Sequence, residues 1–218
     1  FAICQRFTFM WHVMRDILKL GFPIMVQLGG ELGFMLMLTV WMGWLGSVPL
    51  AATQIINEYG FMVIVPLFGL SQAAGILIAR AFGQQDRAEV HRLGVVNIGL
   101  VLMAVCVVVL CYLVFPSQLA SVFVHQGHGV LGTQTLHLAE SLFVVFAAVQ
   151  FFDGFRIVIA GMLRGLFESL FPMAASLSVM WLICAPLGYY LAFHKHLGPQ
   201  GILYGCIVGY ALGAIALI

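Results

Sequence analysis

Six stretches, at about 21–46, 51–81, 94–115, 134–163, 168–192 and 199–218, are apolar almost throughout and nearly free of charge. Each has the roughly 20 residues that an α-helix needs to cross the hydrocarbon core of a bilayer. Inside lipid, backbone N–H and C=O groups must pair within the protein, and only helices and closed barrels achieve this. The stretches lack the alternation of barrel strands, so helices are expected. The fold class that follows is an all-α membrane protein, a six-transmembrane-helix bundle over residues 21–218. Charge supports it: 8% of the 218 residues are charged and 63% hydrophobic, too little charge to cover a soluble domain.

Residues 1–20 are expected to form a cytoplasmic, interfacial amphipathic segment, because Trp11, Met14 and Leu18 share one helical face while Arg15, Asp16 and Lys19 lie on others. The first residue is Phe1, and no basic, apolar and small-residue succession of a secretory signal follows it, so the chain reads as starting within a longer protein. Arg6, Arg15, Lys19, Arg80, Arg87, Arg92 and Arg164 fall on one side of the six spans and only Lys195 on the other. Lys and Arg favour the cytoplasmic side, which places both ends there. The net charge of +1 shows no nucleic-acid partner, and the lipid bilayer is the partner the composition demands.

The connections and spans carry a few further features. Pro116 to Thr133 is the longest polar connection, expected to be external and the loosest part of the chain. His125 and His128 lie in it, and His194 and His196 form a second pair. Their spacing is loosely metal-like, but without cysteine or carboxylate beside them no metal site is read there. The five cysteines contain no Cys-x-x-Cys pair and read as free thiols. Gly201, Gly205, Gly209 and Gly213 recur every fourth residue, a stripe against which another helix can pack closely. Pro66 and Pro186 are expected to kink the second and fifth spans.

Ionisable residues at membrane depth are costly and face a bundle interior or cavity, so they mark function. Glu31, Glu58, Asp153 and Arg156 qualify. Counting 1.5 Å per residue puts Glu31 about 18 Å beyond Lys19 and Asp153 about 16 Å from Arg164. Glu58, entering from the opposite face, also falls about 18 Å from the cytoplasm in a core about 30 Å thick. Three carboxylates on three helices are thus expected near the midplane, where secondary transporters hold substrate and coupling ions.

Desolvation disfavours a charged carboxylate, so each can exchange a proton or be neutralised by Na⁺. A cationic substrate competing for the same carboxylates is expelled as the ion enters. Gln27, one turn before Glu31, and Asn57, beside Glu58, can add amide oxygens. Arg156, at i+3, can pair with Asp153 and neutralise it, and Glu58 can pair with Arg156 or snorkel. Phe34 and Met35, flanking Glu31, either fill the bundle or line a substrate cavity. No cofactor motif is present, and no nucleophile with a placed base or His-Glu-x-x-His that an enzyme would need. An alternative without transport is a membrane scaffold whose acids serve helix association.

Several runs resemble a known family. Gly21-Phe22-Pro23-Ile24 followed by Glu31, Gly43-Trp44-Leu45-Gly46 and Ala51-Ala52-Thr53-Gln54-Ile55 are similar to the seventh and eighth helices of multidrug and toxic compound extrusion (MATE) transporters. Pro66-Leu67, Gln72-Ala73-Ala74 and Ala81-Phe82-Gly83 continue the likeness. Phe152-Asp153-Gly154 with Gly161-Met162-Leu163-Arg164-Gly165 resembles the tenth helix, and Glu168-Ser169 and Pro172 follow where the family often has Asp-Thr and proline. The resemblance implies one six-helix lobe, the C-terminal one, of a twelve-helix transporter of the NorM-like branch in a bacterial inner membrane. Its implied partners are an N-terminal lobe of the same protein and small cationic or amphipathic substrates, exported in exchange for Na⁺ or H⁺. It also implies that Glu31 and Asp153 are the cation-coupling residues, with Na⁺ possible at both. A tyrosine often found four positions before the aspartate is Val149 here, and Glu58 stands where asparagine is common, so the ion stays open. A flippase of lipid-linked oligosaccharides, from the same superfamily, is the neighbouring alternative.

Overall fold

The structure, a computed structural model, describes residues 11–124 and 130–217. Phe1, Cys4, Arg6, His125, His128 and the first half of the 1–20 segment lie outside the described residues. Every element is helical: α1 Trp11–Leu45, α2 Ser47–Gly83, α3 Arg87–Val114, α4 Pro116–Val124, α5 Val130–Gly165, α6 Leu170–Val179, α7 Ala185–Tyr189 and α8 Gly198–Leu217, with π-helical turns at Met180–Cys184 and Tyr190–His194 on either side of α7. Six of the helical runs are long and apolar enough to cross a membrane, at Ile17–Leu45, Ser47–Gly83, Arg87–Val114, Gly132–Gly165, Leu170–His194 and Gly198–Leu217.

Residues 11–20 form the opening turns of α1 itself, with no break before the first span. Leucine, methionine and lysine are good helix formers, so nothing in that segment interrupts the hydrogen-bond ladder. Real breaks fall where the backbone chemistry changes. Gly46 turns at φ 126°, a conformation that glycine tolerates, and separates α1 from α2. Asp86 caps α3 by accepting the Glu89 N–H at 3.0 Å. The connection from Pro116 is not loose over its first half: it is helix α4, held because Ala120 is fully buried and because Tyr59 donates its hydroxyl to the Leu119 carbonyl at 3.0 Å.

The packing is inside-out relative to a soluble protein. Leu36, Met62, Ile76 and Leu182 are exposed, as apolar side chains can be where the surroundings are lipid rather than water. The α5 helix is the axis, packing against α2, α3, α4 and α8. Where helices cross in lipid, close van der Waals approach replaces the hydrophobic effect, so small residues line the contacts. On α2 and α5 these are Ser71 and Gly75 against Gly161 and Gly165: a Cβ on Gly75 would stand 2.9 Å from the Gly161 carbonyl, and Ser71 donates to the Ile157 carbonyl at 3.1 Å. The glycine stripe of the last span works the same way. A Cβ on Gly201 would meet the Ala192 backbone at 2.7 Å, and one on Gly205 the Gly188 backbone at 2.5 Å.

Pro66 and Pro186 behave differently. The α2 helix continues from Ser47 to Gly83 without interruption at Pro66. The fifth span instead opens into π turns around Pro186, and the Ala185 N–H reaches the Met180 carbonyl five residues back. A widened turn gives the proline ring the room that an α-helical carbonyl would occupy.

Candidate functional site

Two of the three deep acids meet inside the bundle. The α1 helix buries Pro23, Gln27, Phe34 and Met42 on one stripe, and Glu31 sits on that same face. The α5 helix carries Asp153 and, one turn on, Arg156. Arg156 is the centre of the cluster, with its side chain 3% exposed. Its Nη1 donates to Glu31 Oε1 at 2.8 Å, 125 residues away in sequence. Its Nε donates to Asp153 Oδ1 at 2.9 Å, and its Nη2 forms an ion pair with the same oxygen at 2.8 Å. Its Nη1 also reaches Ser176 Oγ on α6 at 3.1 Å, and the guanidinium carbon lies 5.4 Å from the centre of the Tyr210 ring on α8. A guanidinium is suited to this position because its planar fork holds two carboxylates at once and stacks on an aromatic face.

Gln27 closes the side of the cluster that faces Arg164. Its amide nitrogen donates to Glu31 Oε1 at 3.0 Å and to Ser176 Oγ at 3.4 Å, while its oxygen accepts from Arg164 Nη2 at 3.1 Å. The sequence expectation had this oxygen turned toward an ion, but Arg164 occupies it. Two carboxylates share one guanidinium, and a second cation, Arg164, lies one hydrogen bond beyond through Gln27. Burying such charges is tolerable only when they are paired and hydrogen-bonded, as these are.

The other expected residues are distributed as follows. Glu58 does not join the cluster: it is exposed, and Arg156 is paired with Glu31 and Asp153 instead. The reason is angular, since α2 turns Thr53, Asn57, Gly60 and Ile64 toward the interior and the residue after Asn57 is rotated by about 100°. Phe34 is fully buried, edge-on to Trp181, and packs rather than lining a cavity. Met35 does line one: a cavity of about 70 Å³ between α1, α2, α5 and α8, whose wall also includes Thr53, Asn57, Gln150, Asp153 and Tyr210. Sequence reasoning missed Ser176, Tyr210 and the Arg164–Gln27 bond. Ser176 and Tyr210 are single polar groups inside apolar runs, a weak signal, and Arg164 reads as a loop charge because it ends its span.

Comparison with known proteins gives one consistent answer. The MatE family model matches residues 23–190. The multidrug resistance protein NorM of Burkholderia vietnamiensis is 31% identical over 206 residues, 94% of this chain and 44% of its own length. The probable multidrug resistance protein NorM of Agrobacterium fabrum is 29% identical over 211 residues, 95% of this chain and 44% of its own length. This chain therefore spans under half the length of the curated relatives it matches. Among solved structures, the MATE transporter VcmN of Vibrio cholerae superposes with a TM-score of 0.84 at 18% identity, over 93% of this chain and 45% of that one. A MOP superfamily transporter from Pyrococcus furiosus gives 0.80 at 21% identity, over 93% and 43%. These structural likenesses concern the fold.

Proposed function

The chain belongs to the MATE family, matched by its MatE model, and on that premise we propose that it is the C-terminal lobe of an antiporter exporting organic cations or drugs in exchange for Na⁺ or H⁺. One observation carries the reading: Glu31 and Asp153, from helices far apart in sequence, converge on a single buried guanidinium inside a six-helix bundle. Buried charge of this kind is costly, and a membrane helix that only needs to pack has no use for it. The names of the relatives, multidrug resistance protein NorM, support drug export as the activity of the whole protein.

Glu31 and Asp153 are the proposed coupling residues, and Arg156 is their resident counter-charge. Glu31 Oε1 and Asp153 Oδ1 already accept N–H donors, so an arriving proton or Na⁺ competes with Arg156 for the carboxylates. Neutralising Glu31 frees the Nη1 arm of the guanidinium and removes the ion pair that joins α1 to α5, while neutralising Asp153 frees the other arm within α5. That is the two-state element that ion binding needs in order to bias a conformation. An N-terminal lobe completes the transporter in this reading, with both ends of the present segment on the cytoplasmic side of a bacterial inner membrane. The test is efflux from vesicles by the full-length protein, with Na⁺ and H⁺ gradients imposed separately. Glu31→Gln and Asp153→Asn should each abolish gradient-driven efflux while the protein still inserts. Unchanged efflux in both variants would remove the coupling role.

A further inference from the structure

The two sides of Asp153 differ. Toward Arg156, its carboxylate takes both the Nε hydrogen bond and the Nη2 ion pair on Oδ1. On its other side Asp153 lines the cavity between α1, α2, α5 and α8, and there the polar wall is incomplete. Thr53 and Gln150 are 6% and 1% exposed, yet Thr53 Oγ1 and Gln150 Nε2 find no hydrogen-bond partner among the described residues. Thr39, on the same wall, shows the usual remedy: it donates to the Met35 carbonyl of its own helix at 2.9 Å. Thr53 takes no such bond.

A buried donor left unpaired is unfavourable, and native structures pair almost all of them with protein or ordered water. The cavity has the properties that water needs. Its volume of about 70 Å³ exceeds the space for one water, at ~30 Å³ each in the liquid, and it offers several polar partners rather than one. Thr53 presents a hydroxyl, Gln150 an amide N–H and Asp153 a carboxylate, so donors and acceptors are both present for a connected cluster. Phe61, one of the lining side chains, is 43% exposed, so the wall at that point is a single side chain thick.

We propose that the cavity walled by Thr53, Asn57, Gln150 and Asp153 binds a cluster of ordered waters and is the route by which the coupling ion reaches Asp153. The water site stands on the cavity and its unpaired groups alone; the route rests on the coupling role proposed above. Thr53 and Gln150 are then positioning residues, holding water against the carboxylate without touching the transported substrate.

The test is X-ray radiolytic footprinting of the full-length transporter in lipid nanodiscs, where bound water generates the radicals that oxidise its neighbours. Met42 lines the cavity and Met180 does not, and the two are equally inaccessible at 1% and 3% exposure, so their oxidation rates compare directly. Met42 is expected to oxidise at least fivefold faster than Met180. In a Thr53→Val, Gln150→Leu double variant its rate should fall to that of Met180, and ion-driven efflux should slow at least tenfold. Equal rates for the two methionines in the unaltered protein overturn the water site, and this measurement needs no folded variant. A Met42 rate that the double variant leaves unchanged overturns the role of Thr53 and Gln150. A dried cavity with unchanged efflux overturns the route. If Glu31→Gln and Asp153→Asn leave efflux intact while Met42 still oxidises fast, the coupling role fails and the water site stands.

Discussion

Glu31 on α1 and Glu58 on α2 are the same residue at nearly the same calculated depth, and the fold treats them oppositely. Around Glu31, Gln27, Arg156 and Ser176 from three helices close a hydrogen-bonded network about one carboxylate. Glu58 is exposed, with Asn57 turned to the cavity in its place. Depth along a span therefore says how costly a charge is, and rotation about the helix axis says whether anything compensates it. The second quantity separates a site from a tolerated surface charge.

The comparison breaks most visibly if its central cation is removed. Arg156→Met leaves Glu31 and Asp153 buried without their partner, which typically costs about 3–5 kcal/mol. Chemical or thermal denaturation of the purified full-length protein should show that loss, and combining the change with Glu31→Gln should recover part of it. A variant as stable as the parent would mean that the acids are already neutral or solvated. Glu31→Gln by itself keeps the side-chain volume and one acceptor. It should cost about 1.5–3 kcal/mol, the worth of a hydrogen bond to a charged group, and in the proposed mechanism abolish ion-driven efflux.

Close helix approach holds the network's frame, and a small change tests it. Gly205→Ala pushes a methyl group against the Gly188 backbone, and overpacking of this kind typically costs about 1–3 kcal/mol. Denaturation should show the loss, whereas Gly99→Ala, with open space around it, should show none. The smallest effect belongs to the other glutamate. Glu58→Gln should stay within about 0.5 kcal/mol of the parent, as exposed substitutions do, with efflux retained. Efflux lost equally in Glu58→Gln and Glu31→Gln would erase the distinction between the two faces.

Much of the site was legible along the chain. Counting residues from Lys19 and from Arg164 brought Glu31 and Asp153 to one level, and the structure joins both to one guanidinium. The i+3 spacing of Asp153 and Arg156 was likewise readable, because helical geometry makes such neighbours meet. The second partner of Arg156 was not. Nothing local to α5 indicates a carboxylate 125 residues earlier, and Glu58 was an equally eligible candidate by depth. Ser176, Tyr210 and the unpaired wall of Thr53 and Gln150 were invisible for the same reason: a lone polar residue in an apolar run has no signature until its neighbours are known.

The sequence by itself determined the solvent, the element type and the number of spanning helices, since hydrocarbon leaves unpaired backbone no alternative and composition states which residues must face it. The glycine stripe on the last span was also readable alone, because small residues at every fourth position have one obvious use. Only the tertiary structure decided which acids face inward, which cation joins them and which polar groups are left for water. Those outcomes depend on how each helix is rotated about its own axis, and that rotation is set by neighbouring helices whose contacts no local pattern encodes.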